Sequence, residues 1–405
     1  MSRTVIGRNV LALRSLSGMT QEALADKVGI TRTYLSKIEN GHKAIDKRST
    51  LIRLSAALEC SIQELFGQPY KPTAHADLAL IAAVPLIRAA LDEPENDPTA
   101  PRTFQQLDMA VDRAMAARMD CTPDVLGEYL PGVLGDARTL WYDQGNYAGG
   151  VLFVKALVTG SLALKPAGYI DLALRMAELA DQVAAAHGDP VCIAAAQFAL
   201  AQCALAVGSR KRSARLAGGG ADQLDQLTRT GKLPPQLHND VLTWMTMLRL
   251  HAALSDASLG TGDPAGHLAV AAAAARGVVG NPWRMEATPE NVRVWEVGVN
   301  VEEGNLDQAL HLLRRVEVNG LLSPQRKARL WLDGGRAAAL TGDTDTAIRY
   351  LLLADDAAPG DLRQRGGAVD LVAGFVRQTS GGGSAALLDL AHRVGVDPTH
   401  PEPVE

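Results

Sequence analysis

The chain is poor in the residues that catalysis, redox chemistry or a membrane would call for. Of its 405 residues only four are cysteine, and aromatics make up 4%. Cys60, Cys121, Cys192 and Cys203 form no CxxC pair and show no histidine pattern of a zinc motif, so neither a metal nor a redox centre is expected. Cys192 and Cys203, eleven apart, would share one face of a helix, as packed thiols do. Walker, GxSxG, HExxH and dinucleotide-binding motifs are all missing, which argues against an enzyme and against a bound cofactor. Gly218-Gly219-Gly220 and Gly381-Gly382-Gly383 follow no strand pattern and read as helix interruptions, not as phosphate cradles. No run reaches the roughly 18 uninterrupted apolar residues of a membrane span. Ala269 to Ala275 stops at Arg276, and Leu78 to Ala90 is broken by Pro85 and Arg88. The start of the chain, with Arg3 and Arg8 among mixed residues, lacks the apolar core of a secretory leader, so a cytoplasmic, nucleoid-associated protein without a membrane partner is expected.

What is present points to helices. Hydrophobic residues make up 47% of the chain, alanine and leucine dominate, and β-branched residues rarely alternate with polar ones, so an all-α protein packed through small side chains is expected. Charge divides unevenly. Residues 1–70 carry ten Lys and Arg against six Asp and Glu, a net +4, whereas the rest carries 30 against 39, a net −9. A basic head on an acidic body suits one part that touches phosphates and another that avoids them.

Within residues 1–66 the pattern predicts five short helices. Ile6, Val10 and Leu13 recur at helical spacing up to Gly18. Thr20 can cap a second helix, Gln21 to Val28, followed by Gly29 where a positive φ is wanted, and Thr31 can cap a third, Arg32 to Asn40, stopped by Gly41. Leu51, Leu54 and Leu58 mark a fourth helix. Ser61 with Glu64 forms a capping box that opens a fifth through Leu65 and Phe66. Gln21, Ala25, Gly29, Leu35 and Ile38 fill in turn the positions where a DNA-binding helix-turn-helix needs a phosphate donor, a small residue at the helix crossing, a turn glycine and two core residues.

On "MTQEALADKVGITRTYLSKIENG" and "TLIRLSAALECSIQELF", residues 4–66 resemble the lambda-repressor-like, xenobiotic-response-element family. The resemblance implies that the third helix enters the major groove with Arg32, Thr33 and Lys37 on base edges, while Gln21, Tyr34, Asn40 and Lys43 hold the phosphate backbone. Arg32 is the leading candidate for specificity, because its planar fork matches the O6 and N7 acceptors of guanine. The family also often pairs an arginine of the first helix with the glutamate before the final Asn-Gly, here Arg14 and Glu39, which implies a structural pair.

Residues 67–77, with two prolines and little apolar content, read as a linker, and 78–396 as amphipathic helices in series. The breaks are Gly145-Asn146, Gly188-Asp189-Pro190, Gly262-Asp263-Pro264, Glu303-Gly304-Asn305 and Thr341-Gly342-Asp343. Between Ala328 and Asp361, Trp331, Gly335, Ala347, Leu351, Ala354 and Pro359 sit at the offsets of a tetratricopeptide repeat, although Gly334 and Ala338 replace the usual Leu and Tyr. Weaker units lie at Gly304 to Val316 and Tyr169 to Ala180, with irregular period, so the expectation is a tetratricopeptide-like solenoid with a concave groove. Trp283, Arg284, Asn291, Arg293 and Trp295 form the preferred ligand region, and His238, Asn239 and Trp244 a weaker one. The tail, 397–405, is expected to be disordered. A head joined to such a body resembles the peptide-pheromone receptors of Gram-positive bacteria and many actinobacterial regulators. That layout implies a homodimer on a palindromic operator in double-stranded DNA, modulated by a peptide, small molecule or protein. The alternatives are a DNA-tethered adaptor that binds a partner protein, and a head that recognises protein instead of DNA.

Overall fold

The computed structural model describes residues 5–43, 45, 47–67, 75–92, 102–231, 233–359, 361–363, 365–379 and 383–396, and among them every regular element is a helix. In chain order these are α1 (Val5–Leu16), α2 (Gln21–Val28), α3 (Arg32–Glu39), α4 (Arg48–Ala57), α5 (Ile62–Phe66), α6 (His75–Asp92), α7 (Phe104–Met119), α8 (Pro123–Tyr142), α9 (Tyr147–Leu164) and α10 (Ile170–His187). They continue with α11 (Pro190–Ala206), α12 (Arg210–Arg229), α13 (His238–Leu259), α14 (Pro264–Ala275), α15 (Pro289–Glu303), α16 (Leu306–Leu313), α17 (Pro324–Thr341), α18 (Thr344–Ala357), α19 (Gly366–Gln378) and α20 (Ala385–Arg393). Most of the expected linker (residues 68–74), the tail 397–405, and Gly381 and Gly382 lie outside the described residues.

The breaks read from the sequence fall at helix starts, and at four of the five the chemistry is side-chain capping, Asn305 before α16 making no such bond. Asn146 accepts from the Gly149 N–H at 3.1 Å, Asp189 from Val191 at 2.7 Å and Cys192 at 3.3 Å, Asp263 from Gly266 at 2.9 Å, and Asp343 from Thr346 at 3.0 Å. Each satisfies N–H groups that have no partner in the first turn of a helix. Pro190 and Pro264 take first helical positions, where the missing N–H costs nothing.

The helices fall into two compact units. One joins Met1–Lys71, Glu296–Val316 and Arg326–Glu405, and the other joins Pro72–Trp295 and Glu317–Gln325. Helix α19 bonds directly to residues of the head and is described with them below.

In the second unit, small residues let helices approach closely. Ala173, Ala177, Ala180 and Ala184 form a fully buried stripe on α10. A Cβ at Gly160 of α9 would stand 2.2 Å from Met176 Cε of α10, and one at Gly127 of α8 would stand 2.6 Å from the Ala79 carbonyl oxygen of α6. Helix α9 is long and apolar enough, by length and composition, to cross a membrane, but its apolar window is 72% buried and it serves here as a core helix. The Gly218-Gly219-Gly220 run does not interrupt a helix as expected, since α12 passes through it unbroken. Gly220 is packed so tightly that a Cβ would meet Gln197 Oε1 at 2.2 Å, whereas a Cβ at Gly218 or Gly219 would meet no described atom within 4 Å, and the helix tolerates the roughly 1 kcal/mol that each glycine costs.

In the first unit, α17 and α18 form a helical hairpin. Gly335 packs on Leu351, and Trp331 stacks on Tyr350 with ring centroids 5.5 Å apart and planes at 19°. Ala347, Leu351 and Ala354 are buried. At Gly334, where a leucine was the usual residue, a Cβ would stand 2.2 Å from Leu313 Cδ1 of α16, so the preceding helix occupies the space a leucine would take.

Candidate nucleic-acid interface

Local capping sets the geometry of the helix-turn-helix. Thr20 Oγ1 accepts from the Ala23 N–H at 3.1 Å and Thr31 Oγ1 from the Tyr34 N–H at 3.2 Å, so each threonine starts a helix where expected. Gly29 ends α2 at φ 69°, with its N–H turned back to Ala25 and Asp26 carbonyls. This left-handed conformation costs an L-residue with a side chain roughly 1 kcal/mol or more, which is why the turn takes glycine. Leu24, Ala25, Val28, Leu35, Leu54 and Leu65 make the core of this small bundle. The Ser61–Glu64 box closes in both directions, with Ser61 N–H to Glu64 Oε2 at 2.6 Å and Glu64 N–H to Ser61 Oγ at 3.1 Å.

The packing leaves one face of α3 to solvent. Arg32, Thr33 and Lys37 are exposed, whereas Leu35, Ile38 and Glu39 are buried. Glu39, the one acid in α3, accepts from Arg14 Nε at 2.5 Å, Arg14 Nη2 at 3.2 Å and Gln21 Nε2 at 2.7 Å. Its charge is therefore spent inside the bundle, and the exposed face of α3 presents cationic and neutral donors without a competing carboxylate. Lys43 Nζ, past the end of α3, lies 5.5 Å from the ring centroid of Tyr34 in the first turn of that helix, a cation–π distance. Asn40 Nδ2 donates to the Ser36 carbonyl at 2.9 Å.

Sequence reasoning missed what steadies this bundle. Helix α19 places Asp370 and Arg377, seven residues and two helical turns apart, on one face. The buried Asp370 carboxylate accepts backbone N–H groups of Val5 and Ile6, at the start of α1. Arg377 Nε and Nη2 donate to the Gly41 carbonyl, just past α3, at 3.0 and 2.8 Å. One helix thus grips both the entry to the first helix and the exit from the exposed one. Burial pushes the Asp370 carboxyl up to about 7, against the opposing pull of Arg377, the two N–H groups and Arg8.

The expected ligand residues lie in the second unit, and each has an intramolecular partner. Trp283 packs edge-on against Trp244 at 5.2 Å, and Trp295 against His251 at 6.2 Å. Arg284 forms a two-pronged pair with Asp112 at 2.7 and 3.2 Å, Arg293 pairs with Glu290 at 3.4 Å, and Asn291 Nδ2 donates to the Glu286 carbonyl at 2.7 Å. Trp283, Arg284 and Glu286 all have φ near +53°, and the surrounding bonds hold them there. Glu286 accepts the Leu322 and Ser323 N–H groups at 2.6 and 3.1 Å, and Arg118 Nη2 donates to the Arg284 carbonyl at 2.9 Å. Of the weaker trio, Asn239 exchanges two bonds with the Val279 backbone at 2.8 Å, and Trp244 is fully buried.

Residues 10–65 match the family model described as helix-turn-helix. Over 63 residues the chain is 33% identical to the control protein C.SmaI of Serratia marcescens, a match that covers 16% of this chain and 74% of that protein. No solved structure matches the chain. The matched stretch takes in α2, α3 and the turn between them, and the chain belongs to the helix-turn-helix family.

Proposed function

We propose that the protein is a transcriptional regulator that binds double-stranded DNA sequence-specifically, with α3 in the major groove. The observation that carries this reading is the exposed Arg32, Thr33 and Lys37 face on a helix whose one acid is buried and paired. Arg32 and Lys37 read guanine edges or reach phosphates, and Thr33 donates to a base or sets its methyl on thymine. Tyr34, Asn40 and Lys43 hold phosphates beside them. Gln21 does so with its second amide hydrogen, since the first is engaged by Glu39. A homodimer on a palindrome sets two such helices about 34 Å apart or a multiple of it. The repeat-like hairpin of α17 and α18 supports a tetratricopeptide-like body that takes a peptide, small molecule or protein. Helix α19 supplies the link from that body to the reader, because its two polar anchors lie on α1 and on Gly41, two residues past α3.

A second reading, a DNA-tethered adaptor, is favoured by one observation. Each residue of the Trp283 to Trp295 group is engaged within the chain, as suits a structural brace more than a small-molecule pocket. The DNA-binding step is tested by titrating duplex with two variants. Arg32→Ala is expected to lose about 1–3 kcal/mol on the preferred site and to relax preference at one base pair, whereas Lys43→Ala weakens all sequences alike and lowers the salt slope by about one. Identical behaviour of the two variants would remove Arg32 from base reading.

A further inference from the structure

The break between α10 and α11 carries three metal-ligating side chains that the DNA-binding reading does not use. A His187 ring nitrogen, an Asp189 carboxylate oxygen and Cys192 Sγ all lie within 4.8 Å of one another. His187 is 7% exposed, Cys192 is fully buried, and Asp189 is half-buried. His187 Nε2 lies 2.8 Å from the Tyr147 carbonyl oxygen, which can only accept, so Nε2 carries a proton and, in the neutral imidazole, Nδ1 is the nitrogen with the lone pair. Nδ1 is buried and, among the described residues, meets no hydrogen-bond partner. Such an acceptor is costly to leave unpaired, and a cation is one group that satisfies it.

We propose that His187, Asp189 and Cys192 form a binding site for a divalent transition metal of borderline softness, with zinc(II) as the reference ion. The donor set is nitrogen, sulfur and oxygen, which favours zinc-like ions over calcium or magnesium. The backbone carbonyl on Nε2–H is the outer partner that typically orients a metal-bound imidazole, and stacking of the Tyr147 ring on His187, with centroids 3.4 Å apart, fixes the ring plane. Asp189 Oδ1 accepts the N–H groups of Val191 and Cys192, which steers the carboxylate without using its second oxygen. Bonds of about 2.0–2.3 Å put tetrahedral ligand atoms roughly 3.3–3.8 Å apart, so side-chain movements that close the widest separation by about 1–1.5 Å assemble the site. Three protein ligands leave a fourth position for water or an exogenous ligand. The spacing His-Gly-Asp-Pro-Val-Cys spans a helix break, so a search for cysteine pairs passes over it.

The test is titration of the metal-stripped, untagged full chain with cobalt(II), followed by displacement with zinc(II). The expected result is one equivalent per chain with a thiolate-to-cobalt charge-transfer band, abolished in Cys192→Ser and kept in Cys203→Ser. Asp189→Asn keeps an N-cap while losing the carboxylate, and is expected to weaken zinc binding at least about tenfold. A folded chain that gives no band, or a band undiminished in Cys192→Ser, overturns the site. Should Cys192→Ser fail to fold, unchanged zinc affinity in Asp189→Asn overturns it equally.

Discussion

Glu39→Ala is expected to unfold the DNA-binding bundle, not merely to weaken DNA binding. Glu39 is buried and takes three bonds from Arg14 and Gln21, and the Arg14 side chain is only 13% exposed. Removing the carboxylate strands a nearly buried guanidinium and an amide, at a cost of about 3–5 kcal/mol. A bundle of about 60 residues holds roughly 3–9 kcal/mol in total, so the loss is comparable to the whole. Urea unfolding should show the bundle's transition shifted far to lower denaturant or lost, with binding to every duplex falling together. A Glu39→Ala protein that melts like the wild type but changes its sequence preference would make Glu39 a reader and not an internal support.

The same network shows how far the sequence could be read. The caps on Thr20 and Thr31, the turn at Gly29 and the Ser61–Glu64 box depend on residues two to four apart and place α2, α3 and α5, while the apolar spacing of Ile6, Val10 and Leu13 and of Leu51, Leu54 and Leu58 marks α1 and α4. The caps at Asn146, Asp189, Asp263 and Asp343 were legible for the same reason. The grip of α19 on Gly41 joins residues 336 apart, and no periodicity reports a bond of that span. Nothing local distinguishes the glycines of α12 from a helix break. What marks Gly220 is Gln197 packed on it, a neighbour supplied by another helix. Gln21 was readable as a donor, but its partner Glu39 emerges only once α1, α2 and α3 are packed together. The tryptophans of the 283–295 segment were visible, whereas the positive φ of Trp283, Arg284 and Glu286 goes with bonds that only the packed chain makes, from the Glu286 N–H to Asn281 and from Arg118, Leu322 and Ser323 to the segment.

Asp370→Asn is expected to change how stability depends on pH. The carboxyl of Asp370 is raised from 3.8 to about 7 by burial, with Arg377, Arg8 and the Val5 and Ile6 N–H groups pulling the other way. A raised acid favours the folded state when protonated. Its contribution is fully present below about pH 4, where both states hold the proton, and declines as pH rises through about 7, where the folded state must release it. At about 1.4 kcal/mol for each unit, the span amounts to roughly 4 kcal/mol. The amide cannot titrate, so the difference in unfolding free energy between wild type and Asp370→Asn should fall progressively between pH 4 and pH 7 and level off above it. Parallel curves would mean that Asp370 does not titrate in this window. Because the anchored N–H groups open α1, and Arg377 of the same helix holds Gly41, the account also expects DNA affinity to follow this stability.

The central proposal is that α3 reads base sequence. Selection from a random duplex pool by the full-length chain tests this most directly, with Arg32→Ala run in parallel at the same salt. The wild type should enrich one short motif, and Arg32→Ala should enrich a motif degenerate at a single base pair. Recovery of no motif by the folded wild type, or of an identical motif by both proteins, would contradict it.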